Sequence, residues 1–358
     1  MSGRIRVGVI GSSFGAEVHI PGFQSLPEYQ VVAVASGRRE RAEATARQFG
    51  IPFATDDYRE LLARDDVDMV SVATPVYLHH PIVVDAFAAG KHVLCEKPLA
   101  LDRRQGAEML AAARASGKAH MVNYELRFLP WRQKVKELLA AGYVGEPRMV
   151  VGEFFGPFKG MNGRDVPWDW LAVRSLGGGF FGAKGCHYVD LYRWWFGEVT
   201  GVYATLETKE PLRKVAGAEQ WRPVETEDCF IVMLRMKGGV QGTICVSRVV
   251  RHGAGGRIMV YGSEGTLILT DEGVLTGARR GDKHQEPLLT PDQMPQAGVT
   301  GAGPQVAFPR LAREMARAVR EGVRVAPDLE DGLRAQEVTD AIVRSSAERR
   351  WVSLPLEP

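Results

Sequence analysis

The feature that most constrains this chain is the alternation of short apolar runs with helical stripes between Ile5 and Asn123. Ile5–Ile10, Val31–Ala35, Met69–Ala73, the run through Val93–Cys95 and Ala119–Asn123 read as strands. Between them, Ala42, Thr45, Ala46 and Phe49 recur at helical spacing and stop at Gly50. Tyr58–Leu62 reads as a short helix, Ile82, Val83, Ala86 and Phe87 form a stripe ended by Gly90, and Met109–Ala115 forms another. Strands that alternate with helices need crossover connections. They therefore form a parallel sheet with helices on both faces, the doubly wound α/β arrangement.

After Asn123 the texture changes. Trp131, Val135, Leu138 and Leu139 mark one more helix. Strand-like runs then follow with few helices between them: Met149–Phe155, Phe230–Met236, Val240–Val249, Ile258–Tyr261 and Thr266–Leu269. Such a series predicts a mostly antiparallel or mixed open-faced sheet in a second, α+β domain. The segment from Gly277 to Pro304 is rich in Gly, Pro and polar residues and reads as a long surface loop or flap, and helices around Leu311–Val319 and Leu333–Arg344 close the chain. The expected domains are 1–123 and 124–358, the closing helices being free to pack back on the first.

At 358 residues, two domains are the default. A net charge of +2 gives no reason to expect a nucleic-acid partner. No apolar run is long enough to span a membrane, and the first strand starts too near Met1 to leave room for a signal peptide, so a cytoplasmic protein is expected. Cys95, Cys186, Cys229 and Cys245 lack paired or metal-like spacing and read as reduced thiols. His80, His120 and His252 have no acid or cysteine at metal-ligand spacing, so no metal is expected.

Two stretches carry chemistry. Gly11-Ser12-Ser13-Phe14-Gly15-Ala16 links the first strand to the first helix, where backbone amides can approach a pyrophosphate. It departs from the ideal G-x-G-x-x-G/A pattern at Ser13, which stands where the central glycine is expected. The second strand ends in Ser36-Gly37-Arg38-Arg39 rather than in an acid. A carboxylate there would bond the ribose of NAD and repel the extra phosphate of NADP, whereas Ser36 and Arg38 can bind that phosphate. NADP(H) is favoured, with NAD(H) open. In the second stretch, the run from Gly90 ends in Glu96-Lys97-Pro98, placing an acid and an ammonium at the carboxyl end of a strand, where open α/β sheets bind ligands. Pro98 restricts Lys97 to extended conformations.

With the glycine turn, Thr74-Pro75, His79 and Glu96-Lys97-Pro98 in this order, the chain resembles the Gfo/Idh/MocA family of sugar and polyol oxidoreductases. The resemblance extends to Gly177-Gly178-Gly179-Phe180-Phe181-Gly182-Ala183-Lys184-Gly185-Cys186-His187-Tyr188-Val189-Asp190, to Glu227-Asp228, to the block from Tyr261 to Thr266 and to Asp331-Gly332-Leu333-Arg334. It implies a Rossmann first domain and hydride transfer between a nicotinamide and a sugar, polyol or related hydroxyl or carbonyl compound. It also implies that Lys97 orients the substrate oxygen and that His187 is the general acid/base, the side chain whose ordinary pKa lies nearest neutrality. Gly11, Ser12, Ser13, Phe14, Gly15, Ser36, Arg38, Thr74, Pro75, His79, Glu96 and Lys97 are the implied cofactor contacts. A homodimer or homotetramer is the implied assembly.

Position adds further substrate candidates. Asn123 and Arg127 follow the last strand of the first domain, and Trp168, Trp170 and Arg174 precede the triple glycine, where they can wall or clamp a polar ring. One departure stands out: the family commonly has an aspartate four residues before the histidine, and here that position is Ala183. Two alternatives to a dehydrogenase therefore stay open, a non-catalytic dinucleotide-binding sensor and a redox-neutral glycosidase-like enzyme that retains NAD.

Overall fold

The computed structural model describes residues 3–156, 165–290, 293–294 and 303–357. They form two compact units, Met1–Phe128 with Gly303–Gln336, and Leu129–Ala302 with Glu337–Pro358.

The first unit is built on strands β1 (Ile5–Ile10), β2 (Tyr29–Ala35), β3 (Phe53–Thr55), β4 (Met69–Val72), β5 (His92–Cys95) and β6 (His120–Val122). Among the described residues they pair in the order β3-β2-β1-β4-β5-β6, every pair parallel. β1 and β4 are buried almost throughout, as strands covered on both faces must be. The order reverses between β1 and β4, and ligands of open parallel sheets bind outside the carboxyl ends at such a point.

The crossovers are helices α1 (Ile20–Gln24), α2 (Arg39–Phe49), α3 (Tyr58–Leu62), α4 (His79–Ala88) and α5 (Arg103–Ser116). Local chemistry sets their ends. The Asp102 side chain accepts the Gln105 N–H at 2.8 Å to cap α5, which terminates at the left-handed Gly117. The helix expected after the turn Gly11–Ala16 is interrupted: a π-helical turn, Gly15–His19, precedes a short α1.

The second unit contains α6 (Pro130–Ala140), β7 (Pro147–Phe155), α7 (Cys186–Phe196), β8 (Val199–Glu207), β9 (Leu212–Lys214), β10 (Trp221–Pro223), β11 (Cys229–Met236), β12 (Gln241–Ser247), β13 (Gly255–Gly262), β14 (Gly265–Thr270), β15 (Leu275–Arg279) and β16 (Glu286–Pro287). With β17 (Val352–Ser353), nine of these strands make one sheet among the described residues, ordered β16-β15-β14-β13-β7-β12-β11-β8-β17. The β12–β7 pair is parallel and its other pairs are antiparallel. β11 alternates buried and exposed residues, the pattern of a sheet covered on one face. α7 lies on the covered face. Tyr188 stacks on Phe154 of β7 at 3.9 Å, and the Tyr192 hydroxyl donates to the Thr243 carbonyl of β12 at 3.1 Å. On the opposite face Met149, Ile231 and Met233 are exposed.

The expected loop from Gly277 to Pro304 needs correction. Its start belongs to β15, it includes β16, and its end belongs to α8 (Gly303–Glu321). The glycine at position 277 concealed the pairing because a Cβ there would stand 2.6 Å from Leu288 Cδ1, so the residue is small for packing rather than for turning. Residues 291–292 and 295–302 of that stretch lie outside the described residues.

α8 joins the core of the first unit. Phe308, Leu311, Ala312 and Met315 are buried with Ile20, Phe23 and Tyr29, and the Tyr29 hydroxyl donates to the Ala312 carbonyl at 2.6 Å. α9 (Leu329–Glu348) begins in the first unit and ends in the second. Gly22 in α1 packs closely on α8, where an added Cβ would stand 2.4 Å from Cδ1 of the fully buried Phe308. Gly22→Ala therefore overpacks this junction, with an expected stability loss of about 1–3 kcal/mol in chemical denaturation.

Candidate active site

The residues at the carboxyl ends of β1, β2, β4, β5 and β6 assemble one polar surface within the first unit. At Gly11 the chain turns with φ of +118°, and a Cβ would stand 2.2 Å from the Ala73 carbonyl oxygen. Only glycine combines that conformation with that approach. Ser12 and Ser13 follow. The Ser12 hydroxyl meets the Ser36 hydroxyl at 2.7 Å, tying the end of β1 to the end of β2. Phe14 and Gly15 lead into the π-helical turn, whose Glu17 N–H donates to the Ser13 carbonyl at 3.0 Å.

A surface cleft of about 300 Å³ opens beside this turn, lined by Ser12, Ser13, Arg41, Ala44, Thr45 and Gln48. Its only charged lining residue is Arg41. Arg38 stands exposed at the start of α2, whereas Arg39 is engaged with Glu43 at 3.2 Å and Asp56 at 3.6 Å. Arg41 was not singled out in the sequence, because on α2 it reads as one more solvated charge. Only the fold shows that it borders the same cleft as the serines of the turn.

Thr74 and Pro75 lie in the turn after β4. The Thr74 hydroxyl oxygen is buried with no hydrogen-bond partner, and so is the Asn123 side-chain oxygen after β6. His79, 1% exposed, places one ring nitrogen 2.9 Å from the Thr74 carbonyl and the other 3.0 Å from the Pro98 carbonyl. It thus ties the turn after β4 to the turn after β5. Burial holds its pKa below the ordinary histidine value, against the pull of those carbonyls and of Glu96.

Glu96 follows β5 directly, with its carboxylate buried. Oε1 accepts from Asn123 Nδ2 at 2.5 Å and lies 2.8 Å from His19 Nε2, while Oε2 accepts the Lys97 N–H at 3.2 Å. Desolvation pushes the Glu96 pKa up, but His19, Lys97 and Asn123 outweigh it and hold it below the ordinary carboxylate value. Lys97 is partly exposed at the head of this turn. Arg127, 4% exposed, lies 3.5 Å from Asp331.

The remaining candidates belong to the second unit. The Asp169 carboxylate accepts the Leu171 N–H at 2.8 Å and sets the short turn at Trp170. Trp168 donates its indole N–H to the Pro223 carbonyl at 2.9 Å, and Arg222 covers its ring at 4.8 Å. Arg174 donates to the Glu225 carbonyl at 2.6 Å. Gly179 packs on Glu227: a Cβ there, where φ is +125°, would stand 2.4 Å from Glu227 Oε1. That same oxygen accepts the Phe181 N–H at 2.8 Å. Behind this loop Arg213 and Arg248 are buried near Asp169 and Asp228, and desolvation together with Arg213 pushes Arg248 down to about 10.

A π-helical turn, Phe181–Gly185, feeds α7 and presents His187 as its second residue, 7% exposed. Ala183 lies in that turn. The neighbouring Lys184 ammonium is 3.9 Å from Asp271, over the rings of Phe154 and Tyr188, and desolvation lowers its pKa.

The first unit therefore carries what a dinucleotide needs. It has a glycine turn that a side chain would block, an unsatisfied Thr74 hydroxyl at the switch point, and a cleft of serines and one arginine beside the second strand. A nicotinamide dinucleotide fits these groups and, when bound, supplies the hydride acceptor or donor. These features define a dinucleotide-binding class of protein.

The description "oxidoreductase family, NAD-binding Rossmann fold" matches residues 5–124, and "GFO/IDH/MocA C-terminal domain" matches residues 132–268. The human glucose-fructose oxidoreductase domain-containing protein 2 is 30% identical, covering 96% of this chain and 92% of its own. Levoglucosan dehydrogenase of Pseudarthrobacter phenanthrenivorans is 28% identical, covering 98% of each chain. A solved levoglucosan dehydrogenase in complex with NADH and L-sorbose superposes with a TM-score of 0.88 at 27% identity, covering 99% of this chain and 100% of that one. This chain belongs to the Gfo/Idh/MocA family of NAD-binding oxidoreductases.

The buried His79 gives a pH test. Its folded pKa lies below the unfolded value of about 6.5, so its contribution to stability is whole above that pH and is lost as the pH falls below it. The melting temperature is expected to fall between pH 7 and pH 5, and less steeply in His79→Asn than in the wild type.

Proposed function

We propose that this protein is an NADP(H)-preferring dehydrogenase or reductase acting on a sugar, polyol or related hydroxyl or carbonyl compound. Lys97 holds the substrate oxygen and His187, carried by the second unit, takes or returns its proton. The observation that carries this reading is the Glu96-Lys97-Pro98 turn, anchored through His79 to the turn after β4, with the glycine turn at the end of the adjoining β1.

The cofactor contacts are Gly11, Ser12, Ser13, Phe14, Gly15, Ser36, Arg38, Thr74, Pro75, His79, Glu96 and Lys97, to which Arg41 is added. The preference for NADP(H) is supported by the absence of a carboxylate from the cleft lining and by the presence there of Ser12, Ser13 and Arg41. Arg41 replaces Arg38 as the principal phosphate ligand in this reading, because it borders the cleft.

Asn123 offers a buried oxygen without a hydrogen bond, suited to a substrate hydroxyl. Arg127, Trp168, Trp170 and Arg174 complete the substrate set, the tryptophans offering ring faces for a sugar and Arg174 a polar clamp. Levoglucosan dehydrogenase and inositol 2-dehydrogenase among the relatives support a polyhydroxylated substrate. The assembly is a homodimer or homotetramer, and the exposed Met149, Ile231 and Met233 of the open sheet supply an apolar face for a second copy.

Calorimetric titration of the purified chain with NADPH and NADH tests the cofactor assignment. NADPH is expected to bind more tightly. Arg41→Ala is expected to weaken NADPH roughly 10–100-fold, the loss of a hydrogen bond to a charged group, and to leave NADH nearly unchanged. Tighter NADH binding would overturn the preference, and binding of neither would overturn the cofactor assignment itself, whereas tight binding without turnover of any sugar or polyol would favour the sensor reading that Ala183 keeps open.

A further inference from the structure

His19 touches the cofactor turn, β4 and the Lys97 turn together. It is fully buried at the end of the π-helical turn Gly15–His19. Such turns insert one extra residue and so re-aim the side chains that follow, often at functional sites. Here the ring points under the sheet's carboxyl edge. Nδ1 lies 2.7 Å from the Ser71 hydroxyl of β4, and Nε2 lies 2.8 Å from Glu96 Oε1 at the end of β5. Phe14 of the cofactor turn packs edge-on at 5.5 Å, and Phe308 of α8 covers the other side at 4.4 Å.

We infer that His19 is a positioning residue, which fixes the Glu96 carboxylate and through it the Lys97 turn relative to the glycine turn. The inference rests on the reading of Lys97 as the group that holds the substrate oxygen.

The geometry leaves Glu96 little freedom. Asn123 and His19 hold Oε1, and the N–H of Lys97 itself is held by Oε2, so a shift of the carboxylate carries the Lys97 backbone with it. The titratable groups facing Glu96 are His19 from the π-helical turn, Lys97 and Cys95 from its own segment, and His79 from α4. Ser71 of β4 reaches it through His19, and Asn123 after β6 is neutral. Desolvation is the largest influence on the carboxyl and favours protonation, and His19 comes first among the groups that oppose it. Without His19, protonation at a higher pH follows.

The test uses the full chain without added cofactor or substrate. The protonated-carboxyl infrared band of Glu96 is identified by its absence in Glu96→Gln and followed through a pH titration. In His19→Leu the band is expected to appear at a pH higher by about one unit or more, the usual size of losing one hydrogen bond to a charged group. In His19→Gln, which keeps an N–H donor near the Nε2 position, it is expected near the wild-type pH. If His19→Leu does not fold, Ser71→Ala, which frees the ring to turn, is expected to shift the band in the same direction by less. Identical titrations in the wild type and in whichever of these two variants folds would overturn the inference.

Steady-state kinetics give the second readout. His19→Leu is expected to lower kcat by up to about 10²-fold, the cost of a misplaced catalytic group, with the substrate KM changed far less and kcat partly restored in His19→Gln. A kcat within about three-fold of wild type, against that range, would also overturn it. Turnover surviving Lys97→Ala would instead sink the catalytic reading of Lys97, leaving the infrared result to stand on its own.

Discussion

The first unit depends on one close approach. At Gly11 the backbone passes the Ala73 carbonyl so tightly that a Cβ would stand 2.2 Å from its oxygen. That approach holds the ends of β1 and β4 together where the strand order reverses, the point at which an open parallel sheet presents its unpaired backbone groups. Everything polar nearby is arranged from it. Ser12 reaches across to Ser36, His79 bridges the turns after β4 and β5, and the buried Glu96 gathers His19 and Asn123. A buried carboxylate is costly unless it is hydrogen-bonded, and here its partners come from three different segments of the chain. The stability of the network and the geometry of the Lys97 turn are therefore the same physical fact.

The second unit solves a different problem. Its sheet is covered on one face by α7, and the room for that helix is made by small residues on the strands. A Cβ at Gly152 of β7 would stand 2.5 Å from the Tyr192 hydroxyl, and one at Gly242 of β12 would stand 3.4 Å from the same ring. α7 is buried nearly all round, so the position of His187 is set by packing rather than by a surface preference. Two of the glycines before it serve the same end, since a Cβ at Gly178 would meet the Leu171 carbonyl and one at Gly179 would meet Glu227. Ala183 leaves the turn without the carboxylate common in the family, and the adjacent Lys184 is occupied by Asp271 and two aromatic rings.

The parallel half was legible in the sequence because its strands are buried on both faces and read as continuous apolar runs, as Ile5–Ile10 and Met69–Val72 do. β3, three residues at the sheet edge, carries too little pattern to register. β8 was missed because Thr200, Gly201 and Thr205 interrupt its apolar residues, and its pairing with β11 supplies what its own composition does not. His19 and Arg41 were illegible for a related reason. The partners of His19 lie 52 and 77 residues away, and Arg41 gains meaning only from the cleft that Ser12 and Ser13 complete. Glu96-Lys97-Pro98 was readable because its position at a strand end, rather than its composition, makes it unusual.

The most direct measurement of the central claim is transfer of deuterium from C4-deuterated NADPH, or NADH, to a panel of ketose and aldose carbonyls, with products read by mass spectrometry. The expected result is deuterium at one carbinol carbon with the wild-type protein. In Lys97→Met the transfer is expected to fall about 10²-fold or more, as when a preorganised electrostatic partner of the reacting oxygen is removed. Absence of transfer from both cofactors across the panel, or equal transfer by Lys97→Met, would contradict hydride transfer at the Lys97 turn.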